Sequence, residues 1–525
     1  MSHHEQEEAP GADPTTESAD MAEPLDQEPQ PGLRLLSVER PDAEPQRTED
    51  EYWLTWGAAL DGARIVLTRV QIAMMVLLVA GGTTLIGIDP RHGLIACIGL
   101  ITALYSVTGV HKIWLLARGE AAATAAPSCA PLLALDSLPL YTILVPLYHE
   151  GTMLPTLVER LGRLDYPPSR LEVLLLIEPD DDETRRAAAA YPLPDHMRPM
   201  LMPPGQPRTK PRALNIALQQ ARGEFVVVYD AEDQPEPGQL RGAVAAMRAV
   251  PPDVICLQAR LNFYNQRQSV LTRLFAIDYA VWYNQFLPGL TSGLKRPGAF
   301  VPLGGTSNHF RANKLRSIGG WDPFNVTEDC DLGVRLGRAG FRVAMLDSTT
   351  WEEAVTRVRP WIRQRSRWVK GYMQTYLVHM RSPLRLFRQL GPRGFTDFQA
   401  LVGGSCLLFL INPLMWGLTG LYIETKGTGI GDFIETLFPP PVYYLALLSL
   451  LSWNFIFLYC SVYVCVRHGL ADLTRYTLLT PLYWVMMSVG AWAGLISLIR
   501  RPFYWAKTEH GASLSPAVSA GSRTG

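Results

Sequence analysis

Two apolar runs, Ile65 to Ile88 and Gly93 to Leu116, precede a long mixed region, and three more, Phe398 to Ile423, Val442 to Val466 and Tyr476 to Ile499, follow it. A helix needs about 20 mainly apolar residues to cross a bilayer core, and each run supplies them. Lipid tolerates no unpaired backbone groups, so these runs must be helices, and the chain must be a membrane protein with a polar domain between its spans. The turn Asp89-Pro90-Arg91-His92 makes the first two runs a hairpin whose ends return to one side. Arg64, Arg69, Lys112 and Arg118 favour the cytoplasm for that side. The flanks of the last run conflict: three C-terminal crossings would put Arg500, Arg501 and Lys507 outside, although Arg467 and Arg475 also favour the inside. The expectation is four or five crossings with one interfacial helix.

Acidic residues from Glu5 to Asp50 dominate a Pro-rich start with few aromatics. Such a segment cannot bury enough apolar area to offset its chain entropy, so residues 1–48 are expected to be a disordered tail. It has neither the basic start nor the apolar core of a signal peptide. The boundaries that follow are a transmembrane hairpin at 49–118, a linker at 119–138, a catalytic domain at 139–372, an interfacial helix region at 373–397, transmembrane helices at 398–500 and a tail at 501–525. The stretch Phe503 to Gly511 suits either a cover for the site or a membrane-edge anchor and is assigned no role. A net charge of -1 offers no argument for a nucleic-acid partner. The seven cysteines include no Cys-x-x-Cys pair, so neither a disulfide framework nor a zinc site is indicated.

Within the middle region the hydrophobic period alternates between strand and helix. Tyr141 to Val145 reads as a strand, and Leu154, Leu157, Val158 and Leu161 read as a helix after the candidate cap Thr152. Val173 to Ile177 is a second strand. A helix carrying Leu214, Leu218 and Ala221 leads through Gly223 to a third, Phe225 to Tyr229. This βαβ alternation predicts an α/β fold with a mainly parallel sheet covered on both faces.

Ligands of such sheets bind beyond the carboxyl ends of the strands. Here those ends read Pro146-Leu147-Tyr148-His149-Glu150, Glu178-Pro179-Asp180-Asp181-Asp182 and Asp230-Ala231-Glu232-Asp233. Each cluster alone could be a solvated loop capping a helix. Three together repel one another unless a cation or ligand donor groups sit among them. Asp230 and Glu232, two apart on an extended segment, can approach a metal bound to a diphosphate, and hard oxygen ligands suit Mg²⁺ or Mn²⁺. Further on, the pairs Gly304-Gly305 and Gly319-Gly320 permit tight turns near a ligand. Thr327-Glu328-Asp329 then opens a helix carrying Leu332 and Leu336, where Asp329 could serve as helix-start chemistry alone. Gln364, Arg367 and Trp368 share one helical face: the arginine can fork onto a phosphate and the tryptophan can face a sugar ring. With Trp361, Arg363, Arg365 and Lys370 around them, the same segment also suits an interfacial helix.

These motifs resemble those of the family 2 glycosyltransferases, over about residues 139 to 372. The resemblance implies a GT-A domain inserted between transmembrane α-helices. Val145 to Glu150 is similar to the family's opening strand and nucleoside-holding loop, which implies donor contacts from Pro146, Tyr148 and Glu150. Lys210-Pro211-Arg212-Ala213-Leu214-Asn215 resembles its Lys-x-x-Ala-Leu-Asn stretch. Asp230-Ala231-Glu232 takes the place of its Asp-x-Asp metal motif, with Glu where the second Asp usually stands and Asp233 immediately after. The metal ligands implied are thus Asp230 with Glu232 or Asp233. Strand two ends Glu178-Pro179-Asp180 where the family often has Asp-Asp-Gly, and the nucleobase contact falls to Glu178 or Asp180. Thr327-Glu328-Asp329 looks like the motif whose Asp is the catalytic base, and Gln364-Arg365-Ser366-Arg367-Trp368 matches the Gln-x-x-Arg-Trp of membrane-bound polysaccharide synthases.

The resemblance implies an inverting transfer from a nucleotide sugar, UDP-linked in the first instance, to a growing β-linked exopolysaccharide, as in cellulose, hyaluronan, chitin and biofilm synthases. It also implies a multi-pass protein of a bacterial-type inner membrane with a cytoplasmic catalytic domain. A second reading is single transfer to a lipid carrier. A third, a transporter or nucleotide-binding scaffold, is disfavoured because the apolar runs carry very few ionisable residues. Donor sugar, linkage and export partners are not readable.

Overall fold

The computed structural model describes residues 62–125, 135–292 and 300–502. The acidic tail at 1–48 and the stretch Phe503 to Gly511 lie outside the described residues.

Five helical stretches are long and apolar enough to cross a membrane: Arg69–Ile88, Pro90–Ala121, Pro383–Thr425, Pro440–Arg467 and Ala471–Arg500. The first, α1 (Arg69–Ile88), starts on a capping box in which Thr68 and Gln71 exchange hydrogen bonds. The second, α2 (Pro90–Ala125), begins at the proline of the turn. Side chains such as Leu77, Leu78 and Ile499 are exposed apolar groups, as lipid-facing positions should be.

The region between the second and third stretches holds an eight-stranded sheet: β1 (Tyr141–Leu147), β2 (Leu171–Ile177), β3 (Met197–Leu201), β4 (Phe225–Val228), β5 (Gln234–Pro235), β6 (Val254–Phe263), β7 (Asn308–Arg311) and β8 (Arg342–Glu352). Their spatial order is β3-β2-β1-β4-β7-β6-β8-β5. The β1/β2, β2/β3, β1/β4 and β6/β8 pairs are parallel, whereas β7 runs antiparallel to both β4 and β6, and β5 runs antiparallel to β8. The chain leaves β1 outward to β2 and β3, then returns to β4 on the other side. That reversal opens a crevice at the carboxyl ends of β1 and β4.

Both faces of the sheet are covered, which is why β2 is buried along its whole length. Ile143, Val145, Val173 and Leu175 pack on one face with Leu154, Leu157 and Leu161 of α3 (Leu154–Gly162). Leu144, Leu174 and Leu176 pack on the other with Leu214 and Leu218 of α5 (Lys210–Gln220), which follows α4 (Asp182–Ala190). This second core runs without a break into Leu115 and Leu116 of α2, so the domain and the membrane helices share one interior. Gly119 of α2 and Gly289 make that contact possible, because a Cβ on Gly119 would lie 2.0 Å from the Gln285 carbonyl oxygen.

Two local expectations are corrected. Thr152 does not cap α3: it sits in the short turn Gly151–Met153, and the cap position is Met153 with no side-chain bond. The strand after Ile177 is not Phe225 to Tyr229 but β3, an edge strand containing Pro199, where a missing backbone N–H is tolerated.

Candidate active site

The crevice opens into a cavity of about 1030 Å³ that extends from the strand ends into the membrane helices. Pro146, Tyr148 and Glu150 line it from the end of β1, Glu178 and Asp180 from β2, and Asp230 and Glu232 from β4. Lys210, Thr327, Glu328, Asp329, Gln364, Arg367 and Trp368 line it too. Of the site residues expected from sequence, only Asp233 is not among its walls. Its carboxylate turns inward instead, where Oδ2 accepts the Asp230 N–H at 2.8 Å and the Thr306 hydroxyl, closing the loop that presents Asp230.

The loop after β1 is held in an uncommon conformation, with His149 at φ 52°. Asp181 fixes it by accepting the His149 N–H at 2.6 Å, and the same carboxylate caps α4 through the Thr184 N–H at 3.0 Å. Within the triple-Asp stretch, Asp181 is therefore a structural cap, while Asp180 pairs with Arg208 at 2.7 Å. Burial pushes the Glu178 carboxyl up, and its Oε2 meets no hydrogen-bond partner among the described residues. A buried polar atom facing a cavity without a partner is a natural contact for a nucleobase N–H.

Asp230, after β4, and Asp329, at the start of a later helix, meet through two intermediaries. Lys210 at the start of α5 donates to Asp230 Oδ1 at 2.5 Å and to the Gly305 carbonyl at 3.0 Å. On Gly305, a Cβ would stand 3.4 Å from Asp329 Oδ2. The carboxylates crowd one another. Burial and the Asp329 charge push Glu328 up to about 7, burial raises Asp329, and Lys210 and Arg367 partly offset both. Burial with Asp233, Glu232 and Asp230 holds Glu352, at the end of β8, well above the usual carboxylate range. Sequence reasoning missed Glu352, although an acidic pair, Glu352-Glu353, at a strand end is the same signal as at β1, β2 and β4.

Asp329 lies in the first turn of α8 (Glu328–Arg338), which follows α6 (Gln239–Ala249) and α7 (Val270–Val281), and its Oδ1 accepts the next N–H at 2.7 Å. The turn before α8 is clamped by α9 (Val358–His379), the helix that carries Gln364, Arg367 and Trp368. Gln374 accepts the Val326 N–H at 3.0 Å and donates to the Phe324 carbonyl at 3.1 Å, and Asn325 donates to Thr375 at 3.0 Å. In the same first turn of α8, the buried Asp331 bonds both His379 and Arg335, at 2.9 and 2.8 Å. Gln364 is nine-tenths buried with its Oε1 unpartnered among the described residues. Trp368 stacks near Tyr279 at 6.4 Å under the Arg365 guanidinium, 4.3 Å from the ring centre.

α9 passes close to the Thr-Glu-Asp turn at Gly371, where a Cβ would lie 2.3 Å from Thr327 Cγ2. Gly371→Val is expected to destabilise the fold by about 1–3 kcal/mol. It is also expected to lower kcat about 10- to 100-fold with donor KM nearly unchanged, since it displaces Asp329 rather than the donor loops. Thermal melts and steady-state rates check both effects; an unchanged kcat contradicts the clamp.

A sequence profile described as Glycosyltransferase like family 2 matches residues 139–371. That stretch begins just before β1 and ends on α9, spanning the sheet and every wall that carries the expected residues. Residues 139–371 belong to glycosyltransferase family 2. The mainly parallel sheet, with β7 inserted antiparallel between β4 and β6, is that of a GT-A domain. The chain is 28% identical over 291 residues to a β-monoglucosyldiacylglycerol synthase of Synechocystis, covering 53% of this chain and 57% of that one. It is 28% identical over 271 residues to a probable glucomannan 4-β-mannosyltransferase of Arabidopsis thaliana, covering 49% and 45%. A probable glycosyltransferase of Bacillus subtilis, YdaM, is 23% identical over 49% of this chain and 60% of its own length. The chain thus spans about half the length of the curated relatives it matches. Among solved structures, a mannosyltransferase of Pyrobaculum calidifontis in complex with GDP-Man and Mn²⁺ aligns with a TM-score of 0.44 and 19% identity, over 76% of this chain and 99% of that one.

Proposed function

We propose that this chain is an inverting, divalent-metal-dependent glycosyltransferase that moves a sugar from a nucleoside-diphosphate donor, UDP-linked in the first instance, to an acceptor held at the membrane. The observation that carries this reading is the convergence of Asp230 and Asp329 on one cavity through Lys210 and Gly305. Pro146, Tyr148, Glu150, Glu178 and Asp180 hold the nucleoside. Gln364 and Trp368 meet the acceptor sugar. Asp329 takes the acceptor hydroxyl's proton as the anomeric carbon is attacked from the opposite face, with Glu328 and Thr327 beside it. Lys210 and Arg367 steady the departing diphosphate.

The residues present fit a divalent cation. Asp230 and Glu232 offer hard oxygens into the cavity, where burial and their charges push the Glu352 carboxyl up, while Asp233 is engaged in the loop. Among the described residues no three His, Cys, Asp or Glu groups converge as a ready-made metal cage, so the donor's phosphates would complete the shell. When bound, Mg²⁺ or Mn²⁺ supplies charge neutralisation to the leaving diphosphate.

Two acceptors suit a cavity that enters the membrane: a growing β-linked exopolysaccharide and a lipid. Membranes containing the protein, incubated with a panel of radiolabelled nucleotide sugars, separate them. A ladder of products supports extension and a single addition supports the lipid. No incorporation from any donor overturns the transferase reading.

The pH profile follows from the same site. A base works only when deprotonated, and burial keeps Glu328 protonated up to about 7 and raises Asp329 beside it. kcat/KM is therefore expected to rise with pH along a limb displaced above the ordinary aspartate range, and to level off above it. An acid limb near pH 4 would contradict the assignment.

A further inference from the structure

The cavity continues past Trp368 between α2, α10 (Ser405–Thr425), α11 (Pro440–Arg467) and α12 (Thr480–Arg500). At the junction one charge projects into it from a membrane helix: Lys112 of α2. Among the described residues its ammonium makes no hydrogen bond or ion pair. Asp278 is the opposing charge in electrostatic reach. That carboxylate is already engaged, because its Oδ2 takes Arg365 Nη2 at 3.3 Å and the Tyr483 hydroxyl at 3.1 Å. Two cations, Lys112 and Arg365, thus share the one carboxylate of Asp278. Ionisable groups inside membrane helices are costly and are kept where something pairs with them.

Depth says what that partner is. Lys112 lies about 33 Å along the axis from Pro90 at ~1.5 Å per residue. A bilayer core is about 30 Å thick, so the ammonium stands at headgroup level on the side of the catalytic domain. Beyond it the walls include Ile98, Ile101, Leu408, Met415, Leu418 and Leu450, an aliphatic lining suited to alkyl chains. We infer that Lys112, with Arg365 behind it, forms a subsite for the phosphate of a lipid acceptor whose chains run along that lining. This rests on the transferase reading above and names the chemical class of its acceptor.

The test uses the purified full chain in detergent micelles with radiolabelled donor. Separate arms add a phosphatidylglycerol, a polyprenyl phosphate, a neutral diacylglycerol, or inorganic phosphate as competitor. Lys112→Gln is expected to raise the half-saturating concentration of the phosphate-bearing lipids about tenfold or more, the scale of one lost charge-assisted contact. Donor KM and the diacylglycerol arm should not move, and Lys112→Arg should restore the wild-type value. Lipid retention by native mass spectrometry needs no turnover, and wild type should hold phosphate-bearing lipid that the glutamine variant loses. Equal loss in the diacylglycerol arm, a raised donor KM, or inorganic phosphate competing as well as the lipids would overturn the subsite. If retention depends on Lys112 while no arm transfers sugar, the subsite stands and the transferase reading falls.

Discussion

Asp329→Asn is expected to lower kcat by about 10³-fold, within the range set by loss of a general base, while nucleotide affinity stays within about twofold. The carboxamide matches the carboxylate in shape and can still accept the Cys330 N–H that now holds Oδ1 at 2.7 Å, so the start of α8 should keep its geometry. What it loses is the ability to take a proton. Of the carboxylates near it, Asp230 bonds Lys210, Asp233 closes its loop, and Glu352 is pushed well toward its neutral form. Steady-state rates with nucleotide binding on the same preparation check this, and weakened binding with unchanged kcat would remove Asp329 from the chemistry.

Asp230→Ala is expected to do the reverse at the ground state, weakening metal-dependent nucleoside diphosphate binding about 10²-fold and taking transfer below detection. Truncating one partner of this half-buried charge pair leaves the other charge without its counter-ion. Here the remaining partner is the Lys210 ammonium, which also bonds the Gly305 carbonyl beside Asp329. The loss should therefore spread from the donor side to the base side, which distinguishes Asp230 from a residue that merely binds. Calorimetric titration of nucleoside diphosphate with Mn²⁺ checks the first part. Equal affinity in wild type and variant would move the metal and diphosphate elsewhere.

Strand ends were the legible part of this chain. β1, β2 and β4 are short, β-rich and followed at once by charge, so both the strands and their acidic termini stand out. β3 did not, because Pro199 and a run of methionines hide an edge strand whose apolar partners lie on β2. β6, β7 and β8 escaped because their identity is tertiary: β7 is four residues long and is a strand only through its antiparallel neighbours. The same limit applies within the site. Asp233 sits beside Asp230 in sequence, and only the reach of Thr306 from a distant turn shows that its carboxylate builds the loop. Gly371 and Gln374 carry no local sign of their hold on the turn before Asp329, since that hold consists of a close approach and hydrogen bonds to residues nearly 50 positions away.

Cryo-electron microscopy of the full chain with Mn²⁺ and an uncleavable nucleotide sugar is the decisive measurement. The diphosphate should lie between Asp230 and Arg367, the nucleobase against Glu178, and the anomeric carbon should face the side from which Asp329 reaches. A diphosphate bound away from Asp230, or an anomeric carbon turned from Asp329, would contradict the account.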